Sequence, residues 1–124
     1  MLSGALDALY KNGYEEKDLT IIYCPGAFEI PLTAKALCKS GKYCGIVCLG
    51  AVIKGETAHF EYISNAVSTG IMELNIEYGM PVSFGVLTSY TEEQAKSRSA
   101  NDANNKGAEA ALAALEMIET LKKI

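Results

Sequence analysis

The sequence predicts an α/β fold with a parallel sheet covered by helices on both faces, on the strength of two observations. Three short apolar runs rich in β-branched residues stand out: "DLTIIYC" (18–24), "YCGIVCLGAVI" (43–53) and "PVSFGVLT" (81–88). Near-continuous apolar runs of this length suit strands that are buried on both sides. Helical patterns separate the three runs, and such alternation implies crossover connections between parallel strands.

Each element has its own local reason. "SGALDALYKNG" (3–13) reads as an opening helix with no strand before it. After the first run, Ile30, Ala34, Leu37 and Cys38 form one helical stripe that Gly41 ends. Phe60, Ile63, Val67, Ile71, Leu74 and Tyr78 form a longer stripe, stopped by Gly79 and Pro81. Thr91 with Gln94 has the spacing of a capping box and opens a short helix. "NKGAEAALAALEMIETLKKI" (105–124) predicts a last helix burying Ala108, Ala111, Leu112, Leu115 and Ile118, with lysines at its negative dipole end.

The 124 residues suit one domain, 1–124, with 49% apolar and 21% charged residues. A net charge of −4 and no dense Lys/Arg run argue against a nucleic-acid partner. No apolar stretch is long enough to span a membrane, and the N-terminus has no secretory pattern, so no membrane association is expected. Cys24, Cys38, Cys44 and Cys48 form no C-x-x-C pair, and Cys24, Cys44 and Cys48 fall in strand-like runs, where free cysteines act as small buried hydrophobes. A reduced, cytoplasmic protein with no metal site is the simplest expectation.

In open parallel sheets, ligands bind outside the carboxyl ends of the strands. Three loops meet that edge: "CPGAFEIP" (24–31), "GAVIKGETAHF" (50–60) and "GVLTSYTEEQ" (85–94), the last leading to Arg98. Together they carry Glu29, Glu56, Thr57, His59 and Arg98. The second loop has the G-x-x-x-x-G spacing of an ATPase phosphate loop, but Glu56 stands where the phosphate-binding lysine belongs. That carboxylate would repel a triphosphate, so ATP hydrolysis is not expected. Backbone N–H groups and the Thr57 hydroxyl at a helix N-terminus can still hold one small phosphate, with Arg98 as its fixed positive charge. The bland alternative for Gly50 and Gly55 is tight packing and a turn. His59 is the only histidine, the side-chain type suited to proton transfer near neutrality. A lone histidine is more often structural than catalytic. Its place at a helix start beside the phosphate loop favours the role of proton acceptor.

At these residues the sequence resembles the 6,7-dimethyl-8-ribityllumazine synthase family. The resemblance rests on "PGAFEIP" (25–31), "GAVIKGETAHFEY" (50–62), "PVSFGVLT" (81–88), "EQAKSR" (93–98) and "NKGAEAALAALEM" (105–117), in order and correctly spaced along nearly the whole chain. It implies a flavodoxin-like three-layer sandwich and a cofactor-free condensation of 5-amino-6-(D-ribitylamino)uracil with 3,4-dihydroxy-2-butanone 4-phosphate, the penultimate step of riboflavin synthesis. By the same resemblance, Ala27, Phe28 and Glu29 hold the ribityl chain, and Ala51, Val52 and Ile53 line the pyrimidine pocket. Glu56, Thr57 and Arg98 grip the phosphate, His59 shuttles protons, and Lys106 supports the anionic site. Phe84 covers the substrate from a neighbouring subunit of a homo-oligomer, a pentamer or a shell of pentamers.

Family members also carry a first strand ending in an S-x-F-N turn, whose ring stacks on the uracil. No such strand precedes "MLSGALDALYKNG". The segment "RSANDANNKG" (98–107) departs from the usual R-A-G pattern, which puts the loop geometry around Arg98 in question. Cys44 replaces a usual Asp, a change with no physical account. Two rival readings are a non-catalytic scaffold on the same fold and a flavin- or nucleotide-binding module of flavodoxin type.

Overall fold

Two parallel strands, β1 (Ile46–Ile53) and β2 (Val82–Ser89), form the sheet, with Ile46 opposite Val82 and Ile53 opposite Ser89. The description covers all 124 residues in a computed structural model. The ladder continues one bond past each end, from the Ile46 N–H to the Pro81 carbonyl (2.8 Å) and from the Lys54 N–H to the Ser89 carbonyl (2.9 Å). Five helices surround the pair: α1 (Leu2–Lys11), α2 (Ile30–Ser40), α3 (His59–Tyr78), α4 (Glu92–Ser99) and α5 (Lys106–Leu121). None is long and apolar enough to cross a membrane.

The two faces of the sheet are covered differently. On one, α2 and α3 bury Ile30, Ala34, Cys38, Val67, Ile71 and Leu74 against Cys48, Val82 and Val86. On the other, α1 and α5 bring Ala5, Ala8 and Ala111 together, with Val47 and Leu49 of β1 packed beneath them. Helices on both faces of a parallel sheet make the three-layer α/β sandwich the sequence predicts.

Local chemistry sets the element ends where the sequence places them. Gly41 follows α2, and Gly79 ends α3 at φ 58°, a left-handed conformation that costs a residue without Cβ nothing. Asn75 then clamps the turn: Nδ2 donates to the Ile71 and Val82 carbonyls and Oδ1 accepts from the Val82 N–H, each at 2.8 Å. Thr91 caps α4 by accepting the Gln94 N–H, while Gln94 Oε1 accepts from the Tyr90 N–H.

Three expectations change. The run 18–24 is not a strand: Glu16–Asp18 form a 3₁₀ turn, and the backbone from Thr20 to Cys24 makes no hydrogen bond within the chain. Ile21, Ile22 and Tyr23 are 47%, 52% and 82% exposed. An apolar cavity of about 650 Å³, lined by Leu19 to Cys24 on one side and Ile46 to Ala51 on the other, separates this segment from β1. With no backbone within reach, no ladder forms. The second change is the face of α5. Gly107, Ala110, Ala111, Ala114 and Ile118 are buried, Ala108 and Leu115 are half-buried, and Leu112 is exposed. Small residues face inward because α5 lies close to the sheet, with Ala110 against Gly85 of β2. Finally, Cys44 is exposed just ahead of β1, whereas Cys38 and Cys48 are buried; all four thiols are free.

Candidate active site

β1 ends at Ile53, the chain turns through residues 54–58, and α3 starts at His59. Gly50 lies inside β1, opposite Val86, and a Cβ there would come within 3.1 Å of Ile30 Cδ1. Its role is packing. The G-x-x-x-x-G spacing therefore does not wrap one cradle, and the true loop is Lys54 to Ala58. Around Gly55 the space is open. Ala58 caps α3 without a side-chain hydrogen bond; the nearest side-chain acceptor is Thr57 Oγ1, 3.4 Å from the His59 N–H. Orphan N–H groups at the start of a 20-residue helix carry partial positive charge and suit a small anion. Glu56, Thr57 and His59 are all exposed beside them.

Residues Ala27–Glu29 form a 3₁₀ turn that enters α2 directly and packs against β1 and α3. Ala27 sits on the main core, Phe28 is 59% exposed, and the Glu29 carbonyl accepts the Thr33 hydroxyl at 3.0 Å. Strand alternation splits the next trio. Ala51 and Ile53 line the large cavity, while Val52 packs toward the α2–α3 core.

A second cleft, of about 370 Å³, runs between β2 and α5 and brings together Phe84, Arg98, Lys106 and Glu109. Phe84 is 44% exposed. Arg98 spends one N–H on the Gln94 carbonyl of its own helix (3.3 Å), leaving the rest of its donor fork for an anion. The Lys106 ammonium reaches both oxygens of Glu109 at 2.7 Å. Asn105 holds this corner in place. It is 2% exposed, its Oδ1 accepts the Gly107 and Ala108 N–H groups to cap α5, and its Nδ2 donates to the Ser99 and Ala100 carbonyls. A Cβ on Gly4 of α1 would collide with that side chain.

The expected site residues thus form two groups. Ala27, Phe28, Glu29, Ala51, Ile53, Glu56, Thr57 and His59 belong to the ends of β1 and the starts of α2 and α3. Phe84, Arg98 and Lys106 belong to the β2–α5 cleft, which none of the first group lines. Three residues beside them were missed from sequence. Glu109 is readable only as a carboxylate three residues after Lys106. Asn105 carries a capping signal, being an Asn ahead of an Ala-rich helix. Lys54 carried none: its partners Glu61 and Tyr90 are seven and 36 residues away in sequence.

The family model for 6,7-dimethyl-8-ribityllumazine synthase matches residues 1–122. The 6,7-dimethyl-8-ribityllumazine synthase 1 of Caulobacter vibrioides is 54% identical over 124 residues, all of this chain and 81% of that protein. This chain belongs to the 6,7-dimethyl-8-ribityllumazine synthase family. Membership makes it a transferase of riboflavin biosynthesis, and the parallel sheet between helical layers accords with the flavodoxin-like fold of lumazine synthases.

Proposed function

We propose that this chain condenses 5-amino-6-(D-ribitylamino)uracil with 3,4-dihydroxy-2-butanone 4-phosphate to give 6,7-dimethyl-8-ribityllumazine, phosphate and water. The family match along residues 1–122 carries the reading. Residues 1–124 act as one catalytic domain.

The chemistry needs only binding and proton transfers. The uracil's amine attacks the ketone carbonyl, and loss of water leaves an imine. Loss of phosphate and closure onto the ribityl-bearing nitrogen complete the second ring, with a second water released. His59 accepts and returns the protons these steps move, a role that supplies about 10²–10⁴-fold in favourable cases. The Thr57 hydroxyl, the main-chain N–H of Glu56 and the open N–H groups of α3 form one side of the phosphate site; Arg98 and Lys106 supply its positive charge. Glu29 accepts ribityl hydroxyls beside Ala27 and Phe28. Ala51 and Ile53 flank the pyrimidine, with the Val52 main chain between them, and the Phe84 ring covers it. No redox step occurs, so no cofactor is required.

The division of these residues between two parts of the chain supports a homo-oligomer in which the His59 group of one subunit meets the Phe84–Arg98–Lys106 cleft of its neighbour, in a pentamer or a shell of pentamers. Leu32, Met72 and Ile76 support it too: they are 74%, 60% and 77% exposed on α2 and α3, two neighbouring helices, and large apolar side chains left open in this way suit an interface. Free metabolites as substrates fit a cytoplasmic enzyme. One observation favours a second reading, a scaffold without turnover: Ala51 and Ile53 lie exposed on the cavity beside β1, with nothing packed tightly against them.

Absorbance of lumazine formed from both substrates tests the choice. The wild-type chain is expected to turn over, and His59→Ala to lose roughly 100-fold in kcat. No product from well-folded wild-type protein would favour the scaffold.

A further inference from the structure

The loop Gly55–Ala58 has little of its own to hold it. All four residues are exposed, and Gly55 has nothing packed over it. The single side-chain hydrogen bond within reach is the long one from the His59 N–H to Thr57 Oγ1. A helix start with no side-chain cap frays readily. Yet a proton shuttle on the first residue of that helix must be held to a fraction of an ångström.

Lys54 bridges the gap. Its main chain extends the sheet by one bond, donating to the Ser89 carbonyl at 2.9 Å. Its side chain crosses the loop to α3, where the ammonium meets Glu61 Oε1 at 2.6 Å. The same ammonium lies 5.8 Å from the Phe60 ring centre and 5.6 Å from that of Tyr90, within cation–π range of both. The rings themselves are 5.9 Å apart and tilted by 39°. Four groups thereby tie three places together: the end of β1, the first turn of α3 and the residue after β2. His59 is flanked by them, one residue before Phe60 and two before Glu61. The carboxyl of Glu61 is held below its ordinary range and the amine of Lys54 above its own, chiefly by their mutual hydrogen bond. Both charges are therefore present throughout the neutral range.

We infer that Lys54 is a positioning residue for the condensation, clasping Glu61, Phe60 and Tyr90 so that His59 and the phosphate-holding start of α3 keep their place at the sheet edge. Exposed ion pairs add little to fold stability, so the clasp acts on geometry. The lysine touches no reacting atom. Removing it frees the loop and the first turn of α3 while the cores stay packed.

The inference rests on the condensation reading, and its test separates the two. Lumazine formation is measured for the full wild-type chain, Lys54→Met and Lys54→Arg, with kcat and each KM determined and thermal melting followed. Lys54→Met should lose about tenfold in kcat, a fraction of what a 1 Å misplacement can cost. Its melting midpoint and its KM for the uracil should stay close to wild type, because residues 27–29 are untouched. Lys54→Arg, which keeps the charge and can reach Glu61, should recover to within about threefold of wild type. A Lys54→Met variant within twofold of wild type in kcat overturns the inference, as does an equal loss in both variants. Should Lys54→Met fail to fold, Glu61→Gln opens the clasp from the other end, and unchanged kcat there overturns it equally. An inactive wild-type chain rejects the condensation instead. The proton resonances of His59, the only imidazole, then decide the positioning role: their shift in Lys54→Met supports it and identical spectra overturn it.

Discussion

Two apolar runs, Leu19 to Cys24 and Ile46–Ile53, line opposite sides of one cavity and are built from similar residues. The second is a strand whose backbone is bonded to β2 along its full length, with Cys48 in its middle 4% exposed. The first has no backbone hydrogen bond from Thr20 onward and shows Ile21, Ile22 and Tyr23 to the surroundings. Composition does not separate them. A partner does: β-propensity expresses how a side chain fits a pleated, half-buried surface, and that surface exists only where a second strand lies about 4.8 Å away.

The widest expected difference is in thiol chemistry, since each run carries a cysteine. Burial pushes the Cys48 thiol from 9.0 up to about 12, which lowers its thiolate fraction at pH 8 about a thousandfold. Iodoacetamide at pH 8, followed by peptide mass analysis, should modify Cys24 and the exposed Cys44 long before Cys48. Equal labelling of Cys24 and Cys48 would break the comparison, because β1 would then open as easily as the unpaired run.

Two isoleucines sharpen it next. Ile71, 2% exposed, packs beneath β1 and β2, and Ile71→Ala should cost about 3 kcal/mol in urea unfolding. Ile22, 52% exposed, should cost less than about 1 kcal/mol. Comparable losses would mean that 19–24 is packed in solution after all.

A smaller effect concerns how the N-terminal part is held. α1 is fastened chiefly to α5, with Gly4 pressed on the Asn105 side chain. Asn105→Ala removes a helix cap and leaves the Ser99 and Ala100 carbonyls without their donor, an expected loss of about 2 kcal/mol. Urea unfolding measures it, and a neutral result would show that α1 and α4 are held by apolar contact alone.

Much of this was legible in advance because it is local. Helix ends depend on the residue at the end: Gly41 and Gly79 stop α2 and α3, and Thr91 with Gln94 starts α4. β1 and β2 were legible as apolar, β-branched runs, and of the motif residues Glu56, Thr57 and His59 follow the carboxyl end of β1. The register of α5 was not legible, since an Ala-rich helix offers several faces of equal hydrophobicity. Only the closeness of Gly85 and of α1 selects the one with Ala110, Ala111 and Ala114 inward.

What local sequence carries is the run of helices with their caps and stops, and the two paired strands, because each depends on residues within a few positions along the chain. The tertiary structure alone decided that 19–24 stays unpaired, that the site residues fall into two groups, and that Lys54 reaches Glu61 and Tyr90. Each of those outcomes depends on what lies beside a residue in space, and neighbours in space from distant parts of the chain leave no periodic mark on either segment.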